Sequence, residues 1–239
     1  MANKKTYVLV HGAYQGGWCW KFVAELLRAQ GHIVFTPTLT GLGEREHLAA
    51  LNPDLDMHIA DIVQVLTVEE LRDVILVGHS LGTAIISGVA DCMPEVIRHL
   101  VFLDGMILQP GQSVLDGAPE RTHEFYRSLK INNGGTGVVP IPPLEFFGMN
   151  IPEYIEWLMR RVTPQPVETF FSKMQLNHPL GNGKPITYIT CTNPFFKQTE
   201  ASRAYAKSRT DWQRLEIATG HIAMISAPEQ LTQILSGIG

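Results

Sequence analysis

The stretch VILVGHSLGTAII (74–86) sets one hydroxyl between two glycines, where a fully apolar run gives way to a run of small residues. Gly78-His79-Ser80-Leu81-Gly82 is a G-x-S-x-G pattern. Between a strand and a helix, this pattern makes a sharp turn that presents the serine above the sheet edge, beside the positive end of the helix. Flanking glycines leave room for the chain to turn so closely. A serine hydroxyl attacks a carbonyl well only when a base takes its proton. In this arrangement the base comes late in the chain, after the nucleophile and an acid. His221, in ATGHIAM, lies between the last strand-like and the last helix-like segments and is the candidate base. His11 and His79 flank the same region and are assigned shaping roles.

Two places can supply the acid. The loop after ITYIT (186–190) reads CTNPFFKQ, with Asn193 and no carboxylate before Glu200. A neutral amide does not stabilise an imidazolium as a carboxylate does. The other place is the end of LVFLD (100–104), where Asp104 closes an apolar strand. Asp104 leads, and Asp116 and Asp211 stay open. A developing oxyanion needs two backbone N–H donors. Leu81, just after the serine, supplies one, and Ala13 in VHGAYQGGW, where Gly12 lets the chain turn, supplies the other.

These residues need a scaffold, and the pattern along the chain describes one. Strands are predicted over 6–10, 32–37, 74–78, 100–104, 186–190 and 212–218. Helical spacing separates them over 18–30, 56–69, 81–93, 197–207 and 227–238. TLTGLGEREHL after the second strand reads as a loop. Buried strands alternating with helices indicate an α/β fold, a mostly parallel sheet of six strands covered on both faces. The alternation breaks over 109–184, with short helices expected near 119–130, 152–161 and 167–176. This divides the chain into a core of 1–108 and 185–239 and a helical lid of 109–184.

The lid carries Phe146, Phe147, Met149, Trp157 and Met159, and Trp18 sits beside the oxyanion loop. These side chains are expected to line a water-poor pocket for an apolar acyl or aryl group, with some of them packing the lid onto the core. No arginine or lysine is placed to bind a substrate carboxylate, so a neutral ester or carbamate is expected.

The 239 residues are 45% hydrophobic and 18% charged, enough for a sizeable core. Net charge is −4, with no basic stripe to attract nucleic acid or an anionic membrane. No apolar run is long enough to span a bilayer. The run Tyr7–Val10 is too short for a secretion signal. Cys19, Cys92 and Cys191 lie far apart and form no CxxC or zinc spacing, so no metal site and a reducing cytoplasmic compartment are expected. A homodimer would be unsurprising.

LVHGAYQGGWCW, TPTLTGLGEREHL, GHSLG, HLVFLD and ATGHIAM together resemble the small bacterial α/β-hydrolase esterases, including pyrethroid and carbamate hydrolase-like members. More distantly they resemble plant methylesterases and hydroxynitrile lyases. The resemblance runs over nearly the whole chain, dense in the core segments and weak over 109–184. It implies an α/β-hydrolase fold, no cofactor, and a triad of Ser80, Asp104 and His221, with Ala13 and Leu81 as oxyanion donors. Asn193 departs from the plant-type acid position. The lyases of this family place a lysine after the catalytic histidine and often a threonine in place of the glycine of His-Gly. Ile222 and Gly12 stand at those positions, and both favour hydrolysis. A dehalogenase would want aspartate where Ser80 stands. The expectation is a serine hydrolase that cleaves small hydrophobic carboxylic esters through an acyl-enzyme, with carbamates and amides open to the same parts. The alternatives are cyanohydrin cleavage and a non-catalytic binder of small ligands on the same fold.

Overall fold

The protein is described here by a computed structural model that covers residues 4–132 and 134–239. Four apolar, largely β-branched segments form its centre: β1 (Thr6–Val10), β3 (Val74–His79), β4 (Ile97–Leu103) and β7 (Ile186–Cys191). With β2 (Ile33–Phe35) and β8 (Gln213–Ile217) at the edges they make a six-stranded sheet in the order β2-β1-β3-β4-β7-β8. Every neighbouring pair is parallel. Parallel strands need crossovers, and helices on both faces supply them.

The period of two in each strand sorts its side chains between two cores. Tyr7, Leu9, Ile75, Val77, Val101 and Ile189 pack with α1 (Lys21–Ala29) and α9 (Pro228–Ser236). Val8, Val10, Leu76, Leu100, Phe102 and Tyr188 pack with α2 (Leu55–Val68), α3 (Gly82–Cys92) and α7 (Glu200–Ser208). Asp54 caps α2, its Oδ1 accepting the Met57 N–H at 2.8 Å. Among the described residues no helix is long and apolar enough to cross a membrane.

Between β4 and β7 the chain forms α4 (Glu120–Asn132), α5 (Pro152–Met159) and α6 (Glu168–Phe171). A short antiparallel pair, β5 (Val138–Val139) with β6 (Gln165–Pro166), joins them. Leu115, Val139, Val167 and Phe170 close a small core of their own against Tyr14.

Local chemistry shifts several element boundaries. The edge strand predicted over 32–37 shrinks to β2, since Pro37 has no N–H to continue the ladder. The loop expected around Gly43 is a 3₁₀ helix, Gly43–Leu51, ended by Asn52 at φ 54°. Arg45 ties its first turn down by donating to Thr38 O and Thr40 Oγ1 at 2.8 and 2.7 Å. The helix expected over 167–176 stops at Phe171, because Met174 N–H instead donates to Gln112 O at 2.8 Å.

The returning end of the insertion is pinned to α3 by Asp91. Its carboxylate accepts the N–H groups of Asn177 and His178 at 3.0 and 2.8 Å, and also Asn177 Nδ2 and His178 Nδ1 at 3.0 and 2.9 Å. Burial pushes this carboxyl up, but the four donors outweigh it and hold the pKa below the ordinary value. The pin is therefore present above the usual aspartate pKa and is lost as pH falls through the lowered one. Asp91→Ala is expected to reduce the unfolding free energy at neutral pH by about 1–3 kcal/mol. Urea unfolding measures this, and a midpoint equal to that of the parent would contradict it.

Candidate active site

The turn after β3 is built as its glycines require. Ser80 sits at φ 53°, a left-handed conformation that side chains rarely adopt, and it is 7% exposed. A Cβ on Gly78 would lie 2.6 Å from Gly82 O, and one on Gly82 would lie 2.7 Å from His11 O. Both obstacles are backbone, so neither position admits a side chain without moving a strand. The strained turn is held from outside: Ser80 N–H donates to Leu103 O at 3.1 Å, and Ser80 O accepts from Met106 N–H at 3.0 Å.

The candidate base and acid, His221 and Asp104, meet beside it. His221 Nδ1–H donates to Asp104 Oδ2 at 2.6 Å, with the side chains 1% and 0% exposed. Asp104 lies just past β4 at φ 40°, its N–H donating to Ile189 O at 2.7 Å. The other carboxylates lie elsewhere: Asp116 accepts from Ser113, and Asp211 pairs with Arg209. Asn193 N–H donates to Thr219 O at 3.0 Å. The His221 loop is fixed twice more. Its backbone O accepts His79 Nε2–H at 2.8 Å, and its N–H donates to Phe147 O at 3.3 Å. Burial, and then the neighbouring His221, push the His79 pKa well down, so its ring is neutral. With Nδ1–H given to Asp104, His221 Nε2 carries the lone pair, and no described residue partners it.

His11 governs the other side of the site. Its Nδ1–H donates to Gly12 O at 2.8 Å, and its Nε2 accepts Leu39 N–H at 3.1 Å. A trans peptide with its carbonyl fixed one way has its N–H fixed the other way, so His11 sets the direction of the Ala13 N–H. No described residue takes the Ala13 or the Leu81 N–H. Tyr14 N–H is taken by Gln165 Oε1 at 2.9 Å. Burial pulls the pKa of His11 down to about 3, despite the bond to Gly12 O that favours its charged form.

Ser80 and His221 line one cavity with Ala13, Tyr14, Gln15, His79, Leu144, Phe147, Val162 and Ile222. It is narrow, with a volume of about 20 Å³, room for about one water molecule. Of the aromatic and apolar residues expected to line it, only Phe147 does. Trp18 and Trp157 line a different, open cleft, where they pack edge to face at 5.4 Å, because α5 lies over the start of α1 and not over Ser80. Met149 is 3% exposed and packs in the core with Leu144 and Leu158. Phe146 is half exposed against Phe147 and Phe196, and Met159 faces solvent. Sequence reasoning missed Gln15, 4% exposed with an unpartnered Oε1, and Phe196, stacked on His221 at 3.9 Å. No periodic signal marks a loop residue such as either of these. Among the described residues no cluster of three His, Cys, Asp or Glu is set to hold a metal ion.

A parallel sheet with a serine turn at the end of β3 and a histidine–aspartate pair on the same edge defines the α/β-hydrolase class. Residues 7–234 match the alpha/beta hydrolase family, and the chain belongs to that family. It is 35% identical, over the full length of both chains, to a carbendazim hydrolyzing esterase of Nocardioides sp. (strain SG-4G). It is also 35% identical to a pyrethroid hydrolase of Sphingobium wenxiniae, over 48% of this chain and 42% of that one. An extracellular alpha/beta-hydrolase from a Paenibacillus species superposes with a TM-score of 0.81 over 98% of this chain and 99% of that one, at 24% identity. The resemblance read from the motifs is thereby borne out, and the chain is a carboxylic ester hydrolase.

The neutral histidines make the fold sensitive to acid. Below about pH 6.5 the unfolded chain takes up a proton at position 11 that the folded chain refuses until about pH 3. Stability is full above this window and falls as pH drops through it. Melting temperature should therefore fall between pH 6.5 and 3, and His11→Gln should flatten the slope by up to one proton. Identical slopes for parent and variant would contradict this.

Proposed function

We propose that Ser80, His221 and Asp104 act as nucleophile, base and acid, and that the chain hydrolyses small, neutral, hydrophobic carboxylic esters. The observation that carries this reading is the buried 2.6 Å bond between His221 Nδ1 and Asp104 Oδ2, with the free Nε2 edge of the imidazole and Ser80 in one cavity. Asp104 holds the imidazole in the tautomer that leaves Nε2 basic. Ser80 Oγ attacks the ester carbonyl as Nε2 takes its proton. The carbonyl oxygen becomes an oxyanion between the N–H groups of Ala13 and Leu81. Protonated His221 then gives its proton to the departing alcohol, leaving Ser80 acylated. Water, deprotonated by the same Nε2, attacks the acyl carbon and releases the acid. The Ser80–His221 hydrogen bond is not made in this structure, and such bonds commonly tighten only when substrate binds.

The cavity wall is mainly apolar, and among the described residues no lysine or arginine lines it, which supports a neutral substrate. Where a lyase would carry lysine, Ile222 lines the cavity at 3% exposure, which favours hydrolysis over cyanohydrin cleavage. The relative from Nocardioides and the one from Sphingobium, named for hydrolysing carbendazim and pyrethroids, support ester or carbamate cleavage in this chain.

A series of p-nitrophenyl esters from acetate to decanoate tests both halves of the reading. The cavity beside Ser80 is narrow, with a volume of only about 20 Å³, so the small acyl groups from acetate to butyrate should be turned over fastest. Ser80→Ala should lower kcat by about 10³-fold or more. Undiminished turnover in Ser80→Ala would remove the serine mechanism, and a decanoate optimum would overturn the pocket size.

A further inference from the structure

The turn after β7, where the sequence lacks a carboxylate, faces the base with other chemistry. Phe196 is 6% exposed, and its ring stacks on the His221 imidazole with centroids 3.9 Å apart and planes 29° apart. Thr199 is fully buried, and its Oγ1 lies 3.4 Å from Asp104 Oδ1, the carboxylate oxygen that His221 does not use. The same hydroxyl lies 3.0 Å from Phe196 O. One cation fastens both residues: Arg203 Nη1 donates to Phe196 O at 2.7 Å and to Thr199 Oγ1 at 2.6 Å. Arg203 also lies over the Phe195 ring, 5.0 Å from its centroid. A guanidinium donates only, so the Thr199 proton is left for the carbonyl and the carboxylate.

We propose that the Phe196–Thr199 turn, fastened by Arg203, is a positioning device for the base. Phe196 fixes the plane of the imidazole and offers its negative face to the imidazolium that forms as Ser80 attacks. Thr199 holds the outer oxygen of Asp104 and so keeps the inner one aimed at Nδ1. Arg203 acts only through these two. The proposal rests on the triad reading above. It accounts for how a β7 turn without an acid still serves the base, and it gives a buried hydroxyl and an oriented arginine a common purpose.

If the three residues work as one unit, their losses do not add. The test uses Phe196→Leu, Arg203→Met, the double variant and Phe196→Tyr, with p-nitrophenyl butyrate as substrate. Stoichiometric release of p-nitrophenol from diethyl p-nitrophenyl phosphate counts folded, competent sites, so kcat refers to those sites alone. Each single variant should lose roughly five- to tenfold in kcat with KM within about twofold, because positioning of the base affects the chemical steps more than substrate binding. The double variant should be no slower than about the worse single, and Phe196→Tyr should keep kcat within about twofold, since its ring retains the stacking face. Losses that multiply in the double variant would overturn the proposal. So would unchanged kcat in both singles, or Phe196→Tyr as slow as Phe196→Leu. Ser80→Ala, run alongside, separates the two readings. Full turnover there removes the triad, whereas an inactive Ser80→Ala with unaffected clamp variants removes only the clamp.

Discussion

Residues 117 positions apart in the chain, Asp104 and His221, meet at 2.6 Å where neither side chain is more than 1% exposed. A carboxylate taken fully out of water is strongly destabilising unless a donor meets it. Asp104 therefore depends on His221, and the loop after β8 is held wherever that contact requires. The sheet order makes the meeting possible. β4 lies beside β7 and β7 beside β8, all parallel, so their ends open on the same edge. Ligand sites of open α/β sheets form at that edge because the connecting loops converge there.

Register does the rest of the alignment. Val10 of β1 pairs with Gly78 of β3, which brings the Gly12–Ala13 turn alongside Ser80 and Leu81. His79 of β3 pairs with Leu103 of β4, which brings Ser80 alongside Asp104. The Ser80 turn, Asp104 and the Gly12–Ala13 loop thus lie side by side because three neighbouring strands end at matched positions. The two glycines of the turn are fixed by this closeness, since the backbones of Gly82 and of His11 occupy the space where their side chains would stand. Histidine supplies the remaining orientation: neutral His11 directs one peptide plane, and neutral His79 holds the carbonyl of His221.

What the sequence made legible follows from this construction. G-x-S-x-G is a local backbone requirement and leaves its mark in five consecutive residues. Asp104 was legible because a carboxylate closing a buried strand has few structural explanations, although choosing it over Asp116 and Asp211 required the spatial contact. The lid was harder. Trp18 and Trp157 are large and apolar, but side-chain type does not reveal which cleft a helix overlies, and α5 covers the start of α1. Phe196, Thr199 and Arg203 meet Asp104 and His221 through a stacked ring and a hydroxyl held by a cation, so no spacing within the chain connects them to that pair. Gln15 is similar: it lines the cavity together with residues from distant parts of the chain, such as Leu144 and Val162.

The central claim is that Ser80 becomes covalently acylated with His221 as its base. Mass spectrometry after rapid acid quench of the enzyme turning over p-nitrophenyl butyrate tests it most directly. The expected result is a single butyryl adduct on the peptide that contains Ser80, formed with the parent and missing when His221→Ala is treated for the same time. Sustained hydrolysis with no adduct, an adduct on another residue, or equal acylation of His221→Ala would contradict it.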